Sequence, residues 1–257
     1  MLRSLFLSTL IILLSTPLHA RAPNGFKEAT FQGRSPAYDK GVVIFSLLPG
    51  DCSPKKYGDG RGESDCANGG IRSRINAKKH ARLGQTLQYS LDIWIDPSFE
   101  FNGGKGTKRS ALIILEWQRI NAIKSHLYEL HLDSRRGAMF EDKTCFSNKD
   151  FGKWVSFKML VKWSAKDDGV LKVYCGDRLV YQLVGQNAIP PGCGTTVKRQ
   201  CELKYQKVDG EIQWQVGPKL GGYGTVYKQY GFSSPFRPFS QNGLKMKVKN
   251  LYFGRIK

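Results

Sequence analysis

An all-β fold, an antiparallel β-sandwich or jelly roll in one domain, is predicted by three features of the 257-residue chain. Apolar and polar residues alternate with period two in segment after segment beyond residue 40. Glycine and proline, at 28 and 11 residues, supply the turns such a chain needs between its strands. No long stretch is rich in Ala, Glu and Leu, which weighs against a helical bundle and excludes a coiled coil or a helical repeat. Hydrophobic residues make up 40%, enough to bury a core, so the strongly basic balance of 40 Lys+Arg to 21 Asp+Glu is not that of a disordered tail.

Taken from the N-terminus, Arg3, the apolar run from Leu5 to Leu14, Pro17 and the small residue Ala20 read as a secretory signal peptide over residues 1–20. A second small-x-small site, Ala20-Arg21-Ala22, offers an alternative cut. The apolar run is too short for a transmembrane span, and no later run is long and apolar enough for one. Residues 21–257 are therefore expected to form the mature domain, secreted or periplasmic. Residues 51–70 form a Gly/Lys/Asp loop. Its acidic residues Asp59, Glu63 and Asp65 lack the spacing of an EF-hand, so no metal is assigned.

The strands follow in order. In Ile71-Arg72-Ser73-Arg74-Ile75-Asn76, Ile71 and Ile75 take one face, and Arg72, Arg74 and Asn76 take the other, an anion-binding surface. The strand from Tyr89 to Ile95 buries Tyr89, Leu91, Ile93 and Ile95. From Ala111 to Gln118, Glu116 and Gln118 lie with Leu112 and Ile114, opposite Ile113, Leu115 and Trp117. Between Ser125 and Asp133, His126 falls with Tyr128, Leu130 and Leu132, whereas His131 shares a face with Leu127 and Glu129. A histidine on the apolar side reads as a core residue, which makes His131 the reserve candidate for a base. His80, in a basic run, belongs to a solvated surface. Val155–Trp163 is a further strand. Leu171–Cys175 and Leu179–Val184 flank Gly176-Asp177, a hairpin signal. In the last strand Lys245, Lys247 and Lys249 alternate with Leu244, Met246 and Val248, so one face is entirely basic. Trp94, Trp154 and Trp163 are assigned to the core, whereas Tyr223, Tyr227 and Tyr230 sit in a Gly-rich segment and are expected to be exposed.

Six cysteines in an exported chain read as three disulfides. Proximity pairs Cys52 with Cys66 and Cys193 with Cys201, each closing a short loop, which leaves Cys145 for Cys175. There is no CxxC pair, so a zinc site is not expected.

The stretch WVSFKMLVKWSAKDDGVLKVYCGDRLVYQLVGQN, from Trp154 to Asn187, resembles polysaccharide lyases of the heparin lyase and glucuronan lyase type, which have a concanavalin-like jelly roll. The family's K-x-G-x-Y motif resembles KLGGY here, with Lys219, Gly221 and Tyr223 in that spacing. An alternative register sets QVGPK on the motif, with Gln215 at the lysine and Lys219 at the tyrosine. The family's R-x-E strand resembles Arg72-Ser73-Arg74, and its Q-W-H strand resembles Glu116-Trp117-Gln118. Two departures stand out: Gln118 occupies the catalytic histidine position, and Glu116 the glutamine position.

The resemblance implies cleavage of a uronate-containing polysaccharide by β-elimination, without a cofactor. Arg72 or Arg74, with Gln118, would neutralise the uronate carboxylate, and Tyr223, its pKa lowered by Lys219 or an arginine, would move protons on one face of the sugar. Arg74, Asn76, Glu116, His131 and Tyr227 would contact substrate. The other reading is a secreted module that grips acidic carbohydrate without cutting it, since the same positive charge steers and holds a polyanion in either case. Nucleic acid is not the expected partner of an exported, disulfide-bonded chain.

Overall fold

Alternation defines the strands, and antiparallel pairing sorts them into two sheets. The computed structural model describes residues 21–29, 32–48, 51–56, 64, 66, 71–78, 81–99, 112–119, 126–133, 135–164, 166–188, 215–224 and 243–256. For Ile71, Leu112, Gln118, Arg119, His126, Leu127, Asp133 and residues 215–224 the description is of the backbone. In chain order the strands are β1 (Phe26–Glu28), β2 (Ala37–Asp39), β3 (Val42–Leu47), β4 (Ile71–Ala77), β5 (Ala81–Arg82), β6 (Thr86–Ile95), β7 (Leu112–Arg119), β8 (His126–Asp133), β9 (Gly137–Phe140), β10 (Lys143–Phe146), β11 (Val155–Lys162), β12 (Val170–Cys175), β13 (Arg178–Val184), β14 (Gln215–Gly224) and β15 (Leu244–Arg255).

The front sheet runs β1-β4-β14-β7-β8-β9-β10, with β5 on β14, and the back sheet runs β13-β12-β11-β6-β15-β3-β2. Neighbours such as β4 with β14 and β6 with β15 are far apart in sequence, as a jelly roll requires, and the pairs are antiparallel. The signal-peptide segment, His80, Tyr227, Tyr230, the acidic residues of the first loop, and Cys193 with Cys201 lie outside the described residues.

The core is the layer between the sheets. From the back sheet come the inward sets Leu91 and Ile93 of β6, Phe157, Met159 and Val161 of β11, and Leu171 and Val173 of β12, each at most 2% exposed. From the front sheet come Ile75, Leu115, Trp117, Leu130 and Leu132, all at 0%. Trp117 is the centre of contact, with its ring 5.6 Å from Tyr89 and 6.1 Å from both Phe140 and Phe157. Burial raises the phenol pKa of Tyr89, whose oxygen accepts from Trp163 Nε1 at 3.2 Å.

Trp163 is core as the sequence predicts, at 0% exposure. Trp94 and Trp154 are not. Trp94 sits half-buried on the outer face of the back sheet, and Trp154 is 39% exposed. Lysine ammonium groups lie over both rings: Lys247 Nζ is 4.4 Å from the Trp94 centroid and Lys249 Nζ 4.3 Å from that of Trp154. Each ring face is thus engaged by a cation, an attraction to the ring quadrupole worth about 0.5–1 kcal/mol at an exposed site.

Two expected disulfides are present, Cys52–Cys66 and Cys145–Cys175. The second joins β10 of the front sheet to β12 of the back sheet. Arg178 reinforces that seam by donating to the carbonyls of Thr144 and Cys145 at 3.1 and 3.0 Å. The Gly176-Asp177 hairpin forms as expected, with Gly176 at φ +60°. At the far end of the same strands, buried Asn187 accepts from Ser164 N and donates to the carbonyls of Lys162 and Val170. Gly169 is required there, because a Cβ would lie 2.2 Å from Gly185 O.

Replacing Cys145 and Cys175 together by serine is expected to lower stability by about 2–4 kcal/mol, since the bridge spans 30 residues of sequence. Thermal unfolding of the variant against the oxidised parent checks this, and an unchanged midpoint would show that the sheets hold their seam without the bridge.

Candidate functional site

Four neighbouring strands of the front sheet, β4, β14, β7 and β8, bring the polar positions together on one face. Because Ile75, Leu115, Trp117 and Leu130 turn toward the back sheet, the alternate positions form the outer face. Three rows of paired residues cross it. The first pairs Arg72 with Tyr223, Tyr223 with Ile113, and Ile113 with His131. The second pairs Asn76 with Lys219, Lys219 with Glu116, and Glu116 with Glu129. The third pairs Gly217 with Gln118 and Gln118 with His126.

Irregular pairing produces two departures from simple alternation. Ile113 and Leu115 of β7 face the consecutive residues His131 and Leu130, so Ile114 is an extra residue and Ile113 moves into the row of Tyr223. Strict alternation would have kept Ile113 with Leu115 and Trp117. Likewise Trp117 and Gln118 face Tyr128 and His126, leaving Leu127 extra on β8. His126 is therefore opposite Gln118, not in the apolar set with Tyr128 and Leu130 where alternation put it.

One charged pair dominates the face. Arg74 donates from Nη2 to Glu116 Oε1 in a short contact, with the two side chains 2% and 0% exposed. These residues belong to β4 and β7, which are separated by β14, so the guanidinium has to pass over the middle strand. The residue of β14 paired with Arg74 is Gly221. Having no side chain, it leaves the crossing open. The Arg74 backbone N–H also donates to Gln32 Oε1 at 2.8 Å. Arg72 and Asn76, on either side, are half-buried. Asn76 Oδ1 is buried and has no hydrogen-bond partner among the described residues.

The sequence-predicted residues thus share a face without sharing a point. Tyr223 is four residues along β14 from Lys219, about 13 Å, and six from the position opposite Gln118, roughly 20 Å. Tyr223 groups with Arg72 and His131, while Lys219 groups with Asn76 and Glu116. Gln118 lies beyond them. Other tyrosines near the core are unsuited to proton transfer at neutral pH, because burial raises the pKa of Tyr128 and Tyr181 as it does that of Tyr89. Sequence alone missed the opposition of Gln118 and His126 and the Arg74–Glu116 bond. The first depends on a one-residue bulge, and the second on which strand lies between β4 and β7. Among the described residues, no group of three or more His, Cys, Asp and Glu side chains is arranged to hold a metal.

No family model matches the chain, and no curated protein does. Solved structures do. The endo-β-1,4-glucuronan lyase of the fungus Trichoderma reesei aligns with a TM-score of 0.53 at 10% identity, covering 95% of this chain and 92% of that one. The carbohydrate recognition domain of Emp47p gives 0.46 at 10% identity over 91% and 90%. A variant of the alginate lyase Aly36B in complex with alginate trisaccharide gives 0.45 at 9% identity over 86% and 85%. At 10% identity the likeness to the glucuronan lyase is one of fold.

Arg74→Met alone is expected to cost about 3–5 kcal/mol, because it strands the Glu116 carboxylate in a buried place, while Arg74→Met with Glu116→Leu should recover most of that loss. Urea unfolding of the two variants measures it. A double variant as unstable as the single one would mean that the loss does not come from a stranded Glu116 charge.

Proposed function

We propose that the protein is an exported polysaccharide lyase that cleaves a uronate-containing polysaccharide by β-elimination. The observation that carries this reading is the row Arg72, Tyr223, Ile113 and His131, which sets a cation, a phenol position and an imidazole across four adjacent strands. Directly paired positions bring Cβ atoms within about 5 Å. Arg72 is then near enough both to hold a uronate carboxylate and to favour the ionised form of Tyr223. Without such help a phenol with a pKa near ~10 is a weak base at neutral pH.

In this mechanism the Arg72 guanidinium neutralises the carboxylate at C5, which makes the C5 proton acidic and stabilises the enolate-like transition state. The Tyr223 phenolate removes that proton. The electron pair left on C5 forms the C4=C5 double bond as the C4–O bond breaks, and the departing glycosidic oxygen takes a proton from the same phenol. His131 stands at the other end of the row as a second group able to exchange protons. Lys219 and Asn76, one row away, and Gln118 beyond them, would grip neighbouring sugars of the polymer along β14. Tyr227, expected to touch substrate, follows β14 in the chain.

Two features support a location outside the cytoplasm. The described chain contains two disulfides, which persist in oxidising compartments, and the formal charge is +19, which suits a polyanionic substrate. No helix among the described residues is long and apolar enough to cross a membrane.

A specific observation favours the second reading, a binding module without turnover. Arg74 is committed to Glu116, and glutamine stands at position 118 where the lyases it resembles carry histidine.

The test is an assay for ultraviolet-absorbing unsaturated uronate over a panel of acidic polysaccharides. Product is expected with at least one polyuronate, and Tyr223→Phe should lower its rate by about 10²- to 10⁴-fold while binding changes little. Binding with no product on any polymer would reject the lyase in favour of the module. Arg72→Ala is expected to weaken both binding and turnover; loss of neither would remove Arg72 from the site.

A further inference from the structure

We infer that the outer face of the back sheet is a second binding surface for acidic polysaccharide, on the opposite side of the sandwich from the row of Arg72 and Tyr223. The inference shares with the proposed function the class of ligand, but it does not depend on the lyase chemistry.

This face is built by the alternate residues of strands whose other residues make the core. Lys245, Lys247 and Lys249 stand on it from β15, Lys158 from β11 and Lys172 from β12. Lys245 and Lys158 are exposed and the other three half-exposed. Among the described residues, none of the five has a carboxylate within ion-pair distance. The acids nearby are engaged or outnumbered: Asp92 accepts from Asn250 Nδ2 at 2.7 Å, and Asp168 pairs with Lys162 at 2.7 Å. Asp96, at the end of β6, has a lowered pKa; burial opposes that shift, and hydrogen bonds from Ser98 with the charges of Lys245 and Lys247 outweigh it.

Three of these lysines are held in place by aromatic rings. Lys247 lies over Trp94, Lys249 over Trp154, and Lys158 over Tyr174, with its Nζ 4.8 Å from the centroid. A lysine laid along a ring has lost part of its rotamer freedom before any ligand arrives, so less is lost on binding. Along β15 the ammonium groups recur every second residue, about 7 Å apart, and the paired strands extend the pattern sideways. A regular, flat array of point charges fits a linear polymer that carries one carboxylate or sulfate on successive sugars. Among the described residues it offers no helix to enter a nucleic-acid groove.

The arrangement has a plain consequence for a chain that acts on polymers. A polysaccharide held on the back sheet keeps the protein on its substrate without occupying the front-sheet row, and raises the local concentration of the next segment to be bound.

The test uses the full mature protein and the triple variant K158Q/K247Q/K249Q. Glutamine removes each charge while keeping a polar side chain on the face, and circular dichroism checks that the fold is retained. Elution from immobilised alginate is measured as a function of salt, alongside Arg72→Ala and a Lys→Arg triple variant at the same positions. The glutamine variant is expected to bind roughly three- to tenfold more weakly and to show a shallower salt dependence, as exposed charges contribute modestly one by one. The arginine variant should bind like the parent.

Turnover of a tetrasaccharide, too short to reach both faces, should be the same in parent and triple variant. Unchanged alginate binding by the glutamine variant overturns the inference, as does retention of the parent on duplex DNA but not on alginate. Absence of unsaturated product from the parent would sink the lyase reading alone and leave the column result to decide this surface.

Discussion

The ion pair of Arg74 and Glu116 is the constraint on which the front sheet depends. It ties β4 to β7 over the top of β14, three strands that meet from distant parts of the chain. An arginine and a glutamate with almost no exposure are costly to desolvate, so the pair is tolerable only when each neutralises the other. That requirement fixes more than the two residues. The crossing needs a position without a side chain, which Gly221 supplies, and Gly221 in that place sets Lys219 beside Asn76 and Tyr223 beside Arg72. A slip of one residue in β14 would turn Lys219 and Tyr223 to the core face and put Leu220 beneath the guanidinium.

The same pair divides the labour of the cations on that face. Arg74 is spent on structure, whereas Arg72, two residues earlier and half-buried, stands across from Tyr223. Lys219 extends the positive potential one row further. In the proposed mechanism a polymer bound along β14 would meet Arg72 and position 223 in one row and Lys219 about 13 Å further on. The back sheet carries its own charge differently, as lysines braced on aromatic rings instead of arginines bonded across strands. The +19 charge is thus partly organised on two faces that do not interfere.

Much of the fold was legible because a half-buried strand must alternate. Tyr89–Ile95, Val155–Trp163, the hairpin about Gly176-Asp177 and the lysines of β15 all follow from that rule, while two of the disulfides follow from proximity along the chain once export is granted. Three things escaped it. Bulges at Ile114 and Leu127 occur in runs where consecutive apolar residues hide any break in period, so the rows of Ile113 and His126 were misread. Trp94 alternates with polar Ser90 and Asp92, which places it outside and not in the core to which it is assigned above, and the Lys247 ammonium that lies over it is invisible until β15 is known to pair with β6. The distance between Tyr223 and Gln118 depends on the register of β14, which a short motif does not encode. Lys219, Gly221 and Tyr223 match a lyase-like spacing, yet the strand places Lys219, not Tyr223, beside Glu116.

A crystal structure of the protein with an acidic oligosaccharide, prepared in the Tyr223→Phe form to prevent cleavage, tests the central claim most directly. The account predicts a uronate carboxylate on the Arg72 guanidinium, with the C5 hydrogen of that sugar facing the ring at position 223 and neighbouring sugars running toward Lys219. A sugar seated with its carboxylate between Lys219 and Gln118, leaving Arg72 and position 223 untouched, would contradict it.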